Sequence, residues 1–230
     1  MSLSIAMDGP VGAGKSSIAD AVAKRLGILH LDTGAMYRAV GVMALREKIA
    51  EDEQEVSRKV QDWKVDVRYV TGDDGEGRQH TFICGEDVTA YLREEATGKA
   101  ASKVATYPAV RRAMVETQQR LAAEQDMLLD GRDIGTRVLP SATVKIYLTA
   151  SDEVRARRRL LQLQEQNPGE NVCFETVLED LRKRDEQDMN RETDPLRQAE
   201  DAILVDSSFL TFDETVETIL RHVLEKRAQA

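Results

Sequence analysis

One segment constrains this 230-residue chain more than any other: Gly9-Pro10-Val11-Gly12-Ala13-Gly14-Lys15-Ser16 fits G-x-x-x-x-G-K-[ST]. The pattern has physical meaning only between a buried strand and a helix, and its flanks predict both. Residues 3–7 read as a short apolar strand, and over 16–26 Ile18, Ala21, Val22 and Leu26 recur at helical spacing. In that setting the glycines let backbone N–H groups curl around phosphate oxygens, and the helix N-terminus adds partial positive charge. Lys15 is placed to reach β- and γ-phosphates, and the Ser16 hydroxyl to meet Mg2+. Nucleoside-triphosphate binding at the edge of an open α/β sheet is therefore expected.

The rest of the chain supports such a sheet. Residues 28–31 are a second candidate strand, followed by Asp32-Thr33-Gly34 and a helix over about 35–48, a βαβ beginning with an expected right-handed crossover. Then the rhythm breaks: Val65, Val67 and Tyr69 alternate, a turn-rich tract runs over 71–77, and 79–83 reads as a returning strand. An antiparallel insertion is expected over about 63–94. A helical pattern over 94–124, with Pro108 opening a second helix, precedes apolar strands at 127–129 and 143–148. A basic helix over 151–164, a breaker at Asn167-Pro168-Gly169, a helix over 175–191, a strand at 203–205 and a closing amphipathic helix complete the chain. The expected fold class is α/β: a P-loop NTPase-type doubly wound parallel sheet with helices on both faces and a small antiparallel β insertion, in one domain over 1–230.

Charge narrows the function. With 41 Asp and Glu against 32 Lys and Arg the net charge is −9, which repels nucleic-acid polymers and anionic membranes, so an anionic ligand must be held by local cation clusters. Cys84 and Cys173 stand in no metal-like spacing, and no uncharged apolar run approaches the ~18 residues of a membrane span. The chain reads as cytoplasmic, without nucleic-acid or membrane partners. No Asn-Lys pair occurs, which removes the guanine-reading segment of a GTPase.

Four further constellations carry chemistry. Asp32-Thr33-Gly34-Ala35-Met36-Tyr37-Arg38 places a hydroxyl and a guanidinium at the end of a strand, either to hold a second phosphate or simply with Thr33 capping a helix and Arg38 in solvent. Asp130-Gly131-Arg132-Asp133 follows an apolar strand, where open α/β sheets bind ligands; Asp130 is alternatively a carboxylate near Mg2+, or the segment a plain turn. Arg184, Asp188 and Arg191 share one helix face as an anion site or as ordinary i,i+4 pairs. Arg155, Arg157, Arg158 and Arg159 crowd one helix, either as a lid over ATP or as a solvated basic face.

Together these residues resemble the bacterial cytidylate kinase (CMP kinase) family of nucleoside-monophosphate kinases. The likeness runs through Asp8 to Ser16, Asp32 to Arg38, Ala101-Ser102-x-Val104-Ala105 with Pro108-x-Val110-Arg111, Asp130 to Thr136, Arg155-Ala156-x-Arg158-Arg159, and Arg184-Asp185 with Asp188-x-Asn190-Arg191. It implies transfer of the ATP γ-phosphoryl group to CMP or dCMP, with Mg2+, by a monomer with a monophosphate-binding insertion (63–94) and a lid (151–172). By resemblance Gly9, Pro10, Val11, Gly12, Ala13, Gly14, Lys15, Ser16, Ser17, Arg155 and Arg158 hold ATP. Arg38, Arg132 and Arg191 take the CMP phosphate, Arg184 and Asp188 the sugar, and Ser102, Arg111 and Asp133 the cytosine, with Thr33 and Asp130 also in the acceptor set. Lys15, Arg132, Arg158 and Arg191 are the expected catalytic cations. The competing readings are a P-loop kinase for another acceptor and a non-catalytic ATP-binding module. No role is expected for the loops 72–77 and 166–173.

Overall fold

The computed structural model describes residues 3–72, 77–166 and 172–229. The centre of the 71–77 tract, the Asn167-Pro168-Gly169 breaker and part of the 151–172 segment lie outside the described residues. The chain divides into two compact units, residues 1–30 with 126–230, and residues 31–125.

The first unit is built on strands β1 (Ser4–Asp8), β6 (Met127–Asp130), β7 (Val144–Thr149) and β8 (Ile203–Asp206), with β2 (Leu29–Asp32) crossing the division. The sheet order is β2-β6-β1-β7-β8, and β1 runs parallel to both β6 and β7. The middle of β1 is apolar on both faces, as a central parallel strand must be: Ile5 and Met7 on one face are buried in a core with Ile18 and Val22 of α1 (Lys15–Leu26) and Ile219 and Val223 of α8 (Phe212–Gln229), and Ala6 is buried on the other. The helices α6 (Asp152–Gln166) and α7 (Phe174–Asn190) pack together. Strand carboxyl ends, where β1 and β6 finish in Asp8 and Asp130, are where open α/β sheets bind ligands.

The second unit carries α2 (Thr33–Arg46), α3 (Glu53–Lys59), the antiparallel strands β3 (Val65–Thr71), β4 (Gly77–Ile83) and β5 (Glu86–Asp87), and helices α4 (Glu95–Val104) and α5 (Pro108–Glu124). The hairpin register runs from Val65 opposite Ile83 to Thr71 opposite Gly77, which puts Val65, Val67, Thr81 and Ile83 on the buried face. The cap of α2 is Asp32, whose carboxylate accepts the Ala35 N–H at 3.0 Å, and not Thr33, which is the helix's first residue. Pro108 opens α5 as its sequence position predicts.

Candidate nucleotide site

Leaving β1, the chain turns at Gly9 with φ 150°, where a Cβ would sit 2.0 Å from the Leu148 carbonyl oxygen of β7; only glycine fits there. After the five further loop residues Pro10 to Gly14, α1 begins, and Lys15 is buried in its first turn with Nζ donating to the Pro10 carbonyl at 2.7 Å. Ser16 Oγ donates to Asp130 Oδ2 at 2.9 Å, and the other oxygen of Asp130 lies 2.7 Å from His30 Nε2. Asp8, buried beneath the loop, accepts the Ile134 and Gly135 N–H groups at 2.7 Å each, which fixes the turn that follows Asp133.

The electrostatics follow from this burial. Desolvation, reinforced by the Arg132 charge, pulls the Lys15 ammonium down to about 7 against the attraction of Asp130, Asp188 and Asp8. Desolvation pushes Asp8 up to about 6 even though two N–H groups stabilise its charged form. At Asp130 burial works upward too, but it is outweighed by the hydrogen bond and charge of His30, with Lys15 and Ser16, and the carboxyl is held below its ordinary value.

Carboxylates order Arg132, Arg155 and Arg191 of this unit. Arg132 Nε donates to Asp188 Oδ2 at 2.8 Å; Arg191 Nη2 donates to Asp133 Oδ1 at 3.0 Å, and its Nη1 is 3.7 Å from Asp188 Oδ1. A single network thus unites residues that the family likeness distributes among phosphate, sugar and base. Arg184 is half-buried one turn before Asp188 on α7. Arg158 reaches the loop at Ala13, with Nη1 3.5 Å from its carbonyl, and is held by Ser207 through Oγ at 3.0 Å and the carbonyl at 2.8 Å. Arg155 is buried, with Nη1 bonded to the Val11 carbonyl at 2.7 Å and to Asp185 Oδ2 at 2.5 Å.

Thr33, Arg38, Ser102 and Arg111 belong to the second unit. Thr33 is buried at the start of α2, and Arg38 Nη1 lies 3.6 Å from Asp32 Oδ2. Ser102 is half-buried on α4. Arg111 is only 1% exposed, its guanidinium 5.7 Å from the Tyr37 ring and its Nη1 3.4 Å from the Ala105 carbonyl. Three contributors have no role in the sequence reading: Asp8, His30 and Asp185. Asp8 and Asp185 do stand inside motifs that carry the resemblance, but the backbone groups they bind, Ile134 and Gly135 for Asp8 and Val11 for Asp185, lie more than a hundred positions away, and His30 carries no motif signal at all.

Comparison with known proteins shows the family. The family model for cytidylate kinase matches residues 5–225. The chain is 43% identical over 219 residues to a cytidylate kinase of Caldicellulosiruptor bescii, covering 95% of this chain and 94% of that one. It is also 43% identical over 230 residues to a cytidylate kinase of Bacillus licheniformis, covering 99% and 98%, and 44% identical over 218 residues to one of Pseudomonas aeruginosa, covering 95% and 93%. Among solved structures an uncharacterized protein from Eubacterium ventriosum aligns with TM-score 0.51 at 11% identity, over 98% of this chain and 99% of that one, a likeness of fold alone. With a glycine loop, a buried lysine and a family match that runs from the first strand into the last helix, the chain belongs to the cytidylate kinase family.

Proposed function

We propose that this chain transfers the γ-phosphoryl group of ATP to CMP or dCMP. A phosphate oxygen of the monophosphate forms the new bond to the γ-phosphorus as the bond to the bridging oxygen breaks, and ADP leaves with that electron pair. The observation that carries this reading is the placement of Lys15, Ser16 and Asp130 at the head of α1 in a chain that is 43% identical to a cytidylate kinase along 99% of its length.

The attacking phosphate is already anionic, so no general base is required; the work is alignment of two repelling anions and neutralisation of charge. Lys15 serves the donor phosphates, and Arg158 lies beside the loop at Ala13. Arg132 and Arg191, held rigid by Asp188 and Asp133, serve the acceptor and the transferring group; their forks bind phosphate oxygens in pairs and stay charged. Ser16 Oγ and Asp130 Oδ2 are oxygen donors of the kind Mg2+ takes, completed by water and substrate phosphates. Among the described residues no cluster of three or more His, Cys, Asp or Glu could hold a metal, which suits a cation that arrives with ATP. When bound, Mg2+ neutralises charge on the β- and γ-phosphates.

The family likeness assigns Thr33, Arg38, Ser102 and Arg111, with Asp130, Asp133, Arg184 and Asp188, to CMP. Cytosine presents an N4 donor to a carboxylate or hydroxyl and ring acceptors to an arginine, whereas uracil reverses that pattern and leaves buried groups unmatched, at about 1–3 kcal/mol. Among the described residues no helix is long and apolar enough to cross a membrane. We place the chain in the cytoplasm, as a monomer acting in pyrimidine nucleotide metabolism. A coupled ADP-release assay with CMP, dCMP, UMP and AMP tests the reading. Turnover with CMP and dCMP is expected; equal ADP release without any monophosphate removes it, and preference for AMP reassigns the acceptor.

A further inference from the structure

We propose that Arg155 and Asp185 form a buried clamp on Val11 that sets the shape of the phosphate-binding loop, so that Arg155 acts on bound nucleotide through the loop and not by direct contact. The inference rests on the reading of that loop as the ATP site. Both backbone polar groups of Val11 are taken by this pair: the N–H donates to Asp185 Oδ1 at 2.9 Å, and the carbonyl accepts from Arg155 Nη1 at 2.7 Å. Arg155 Nη1 also meets Asp185 Oδ2 at 2.5 Å, which closes a ring of three groups. The pair is 4% and 6% exposed.

The rest of the guanidinium is engaged as well. Nε donates to the Ala150 carbonyl at 2.9 Å and Nη2 to Asp152 Oδ1 at 2.5 Å, so four of its N–H groups already have protein acceptors. The other oxygen of Asp152 accepts from Arg182 Nε of α7 at 2.8 Å, which ties α6 to α7 behind the clamp. Next in the loop, a Cβ on Gly12 would lie 3.2 Å from Leu181 Cδ1 and 3.3 Å from Arg155 Cβ, so the same two helices pack directly on the turn.

A glycine-rich loop has no side chains to fix its own backbone, and ordering it on each binding event would cost affinity. A clamp whose members are themselves locked by packing and hydrogen bonds supplies that order in advance. Arg155 and Asp185 are therefore positioning residues for the donor side of the reaction.

Asp185→Ala would strand a buried guanidinium and risks unfolding, so the decisive variant is the double replacement Arg155→Met with Asp185→Leu, which removes both charges and keeps apolar bulk. Asp185→Asn is the milder companion: it keeps an acceptor for the Val11 N–H and weakens the pair. Calorimetry with an unreactive ATP analogue and with CMP, steady-state kinetics, and exchange of the Val11 amide by NMR are measured on the full chain. Expected are faster Val11 exchange, an ATP-analogue Kd and ATP KM raised about tenfold or more, and a CMP Kd within about twofold of the parent, with Asp185→Asn intermediate. Unchanged analogue affinity in Asp185→Asn combined with its loss in Arg155→Met alone overturns the clamp in favour of direct contact. Unaltered Val11 exchange in the double variant, or in Asp185→Asn should the double variant not fold, overturns it also. Failure of the parent chain to bind the analogue refutes the kinase reading itself.

Discussion

Lys15 is the residue at which burial and chemistry conflict most sharply. Its ammonium is taken out of water and set near Arg132, and both effects favour the neutral amine, which brings the group down to about 7. Phosphate oxygens at Nζ favour the charged form and raise that value again, so above pH 7 nucleotide binding takes up a proton. The sign is fixed by this: affinity falls as pH rises beyond about 7, by at most tenfold per pH unit until the bound-state value is reached. Calorimetry with an ATP analogue at pH 8 in two buffers of different ionisation enthalpy should show uptake approaching one proton, and Lys15→Met should abolish it. The same uptake in the Met variant would assign the proton elsewhere. Other residues show why a site is only partly legible in a sequence. Lys15 and Ser16 announce themselves because the loop is local, whereas the pairing of Arg191 with Asp133 and of Arg132 with Asp188 spans more than fifty positions and leaves no periodic trace.

Elements differ in the same way. The strand, loop and helix over residues 4–26 are legible from nearby residues, and so are the hairpin of β3 and β4 and the Pro108 start of α5. Several short elements escape the pattern reading, the 3-10 turn Thr89–Tyr91 among them. Helix α3 has seven residues and one buried side chain, too short for a periodic signal, and β5 has two residues. The π-helical turn over Ile134–Val138 is shaped by Asp8, more than a hundred positions upstream. The loop's glycines likewise look equivalent in sequence and are not equivalent in space. At Gly9 a methyl group would collide with the β7 backbone, whereas at Gly14, with φ 87°, nothing lies within 4 Å and only the left-handed conformation penalises a side chain. Gly14→Ala is therefore expected to lower stability by about 1–2 kcal/mol, the cost of a left-handed residue. Gly9→Ala must displace a central strand and should lower it by more than that, with loss of ATP-analogue binding. Thermal melts without nucleotide check the order, and equal midpoints for the two variants would contradict the collision.

At the scale of the whole molecule, the order β2-β6-β1-β7-β8 gives the loop-bearing strand β1 neighbours that arrive only after residue 126. Consecutive strands β1 and β2 are separated by β6, so the strand platform of the phosphate loop is non-local and depends on residues of the second half of the chain. The closing elements matter most in this respect. Strand β8 pairs with β7 from Ile203 opposite Ile146 to Asp206 opposite Thr149, and α8 buries Val216, Ile219, Leu220 and Val223 in the core shared with Ile18 and Val22 of α1. At about 1.5–3 kcal/mol for each buried apolar side chain, these contacts together are on the order of the ~5–15 kcal/mol that holds a domain folded. A chain ended after Ala202 should therefore show no cooperative thermal transition and no binding of an ATP analogue, although every residue of the loop, of the arginine network and of the Val11 clamp is still present. Leu224→Ala in the full chain, at a position 56% exposed on the same helix, should move the midpoint by less than about 2 °C. If the shortened chain melted cooperatively within a few degrees of the full one, the support of the loop would have to lie in β6 and β7 alone, and the closing strand and helix would be accessories to the site.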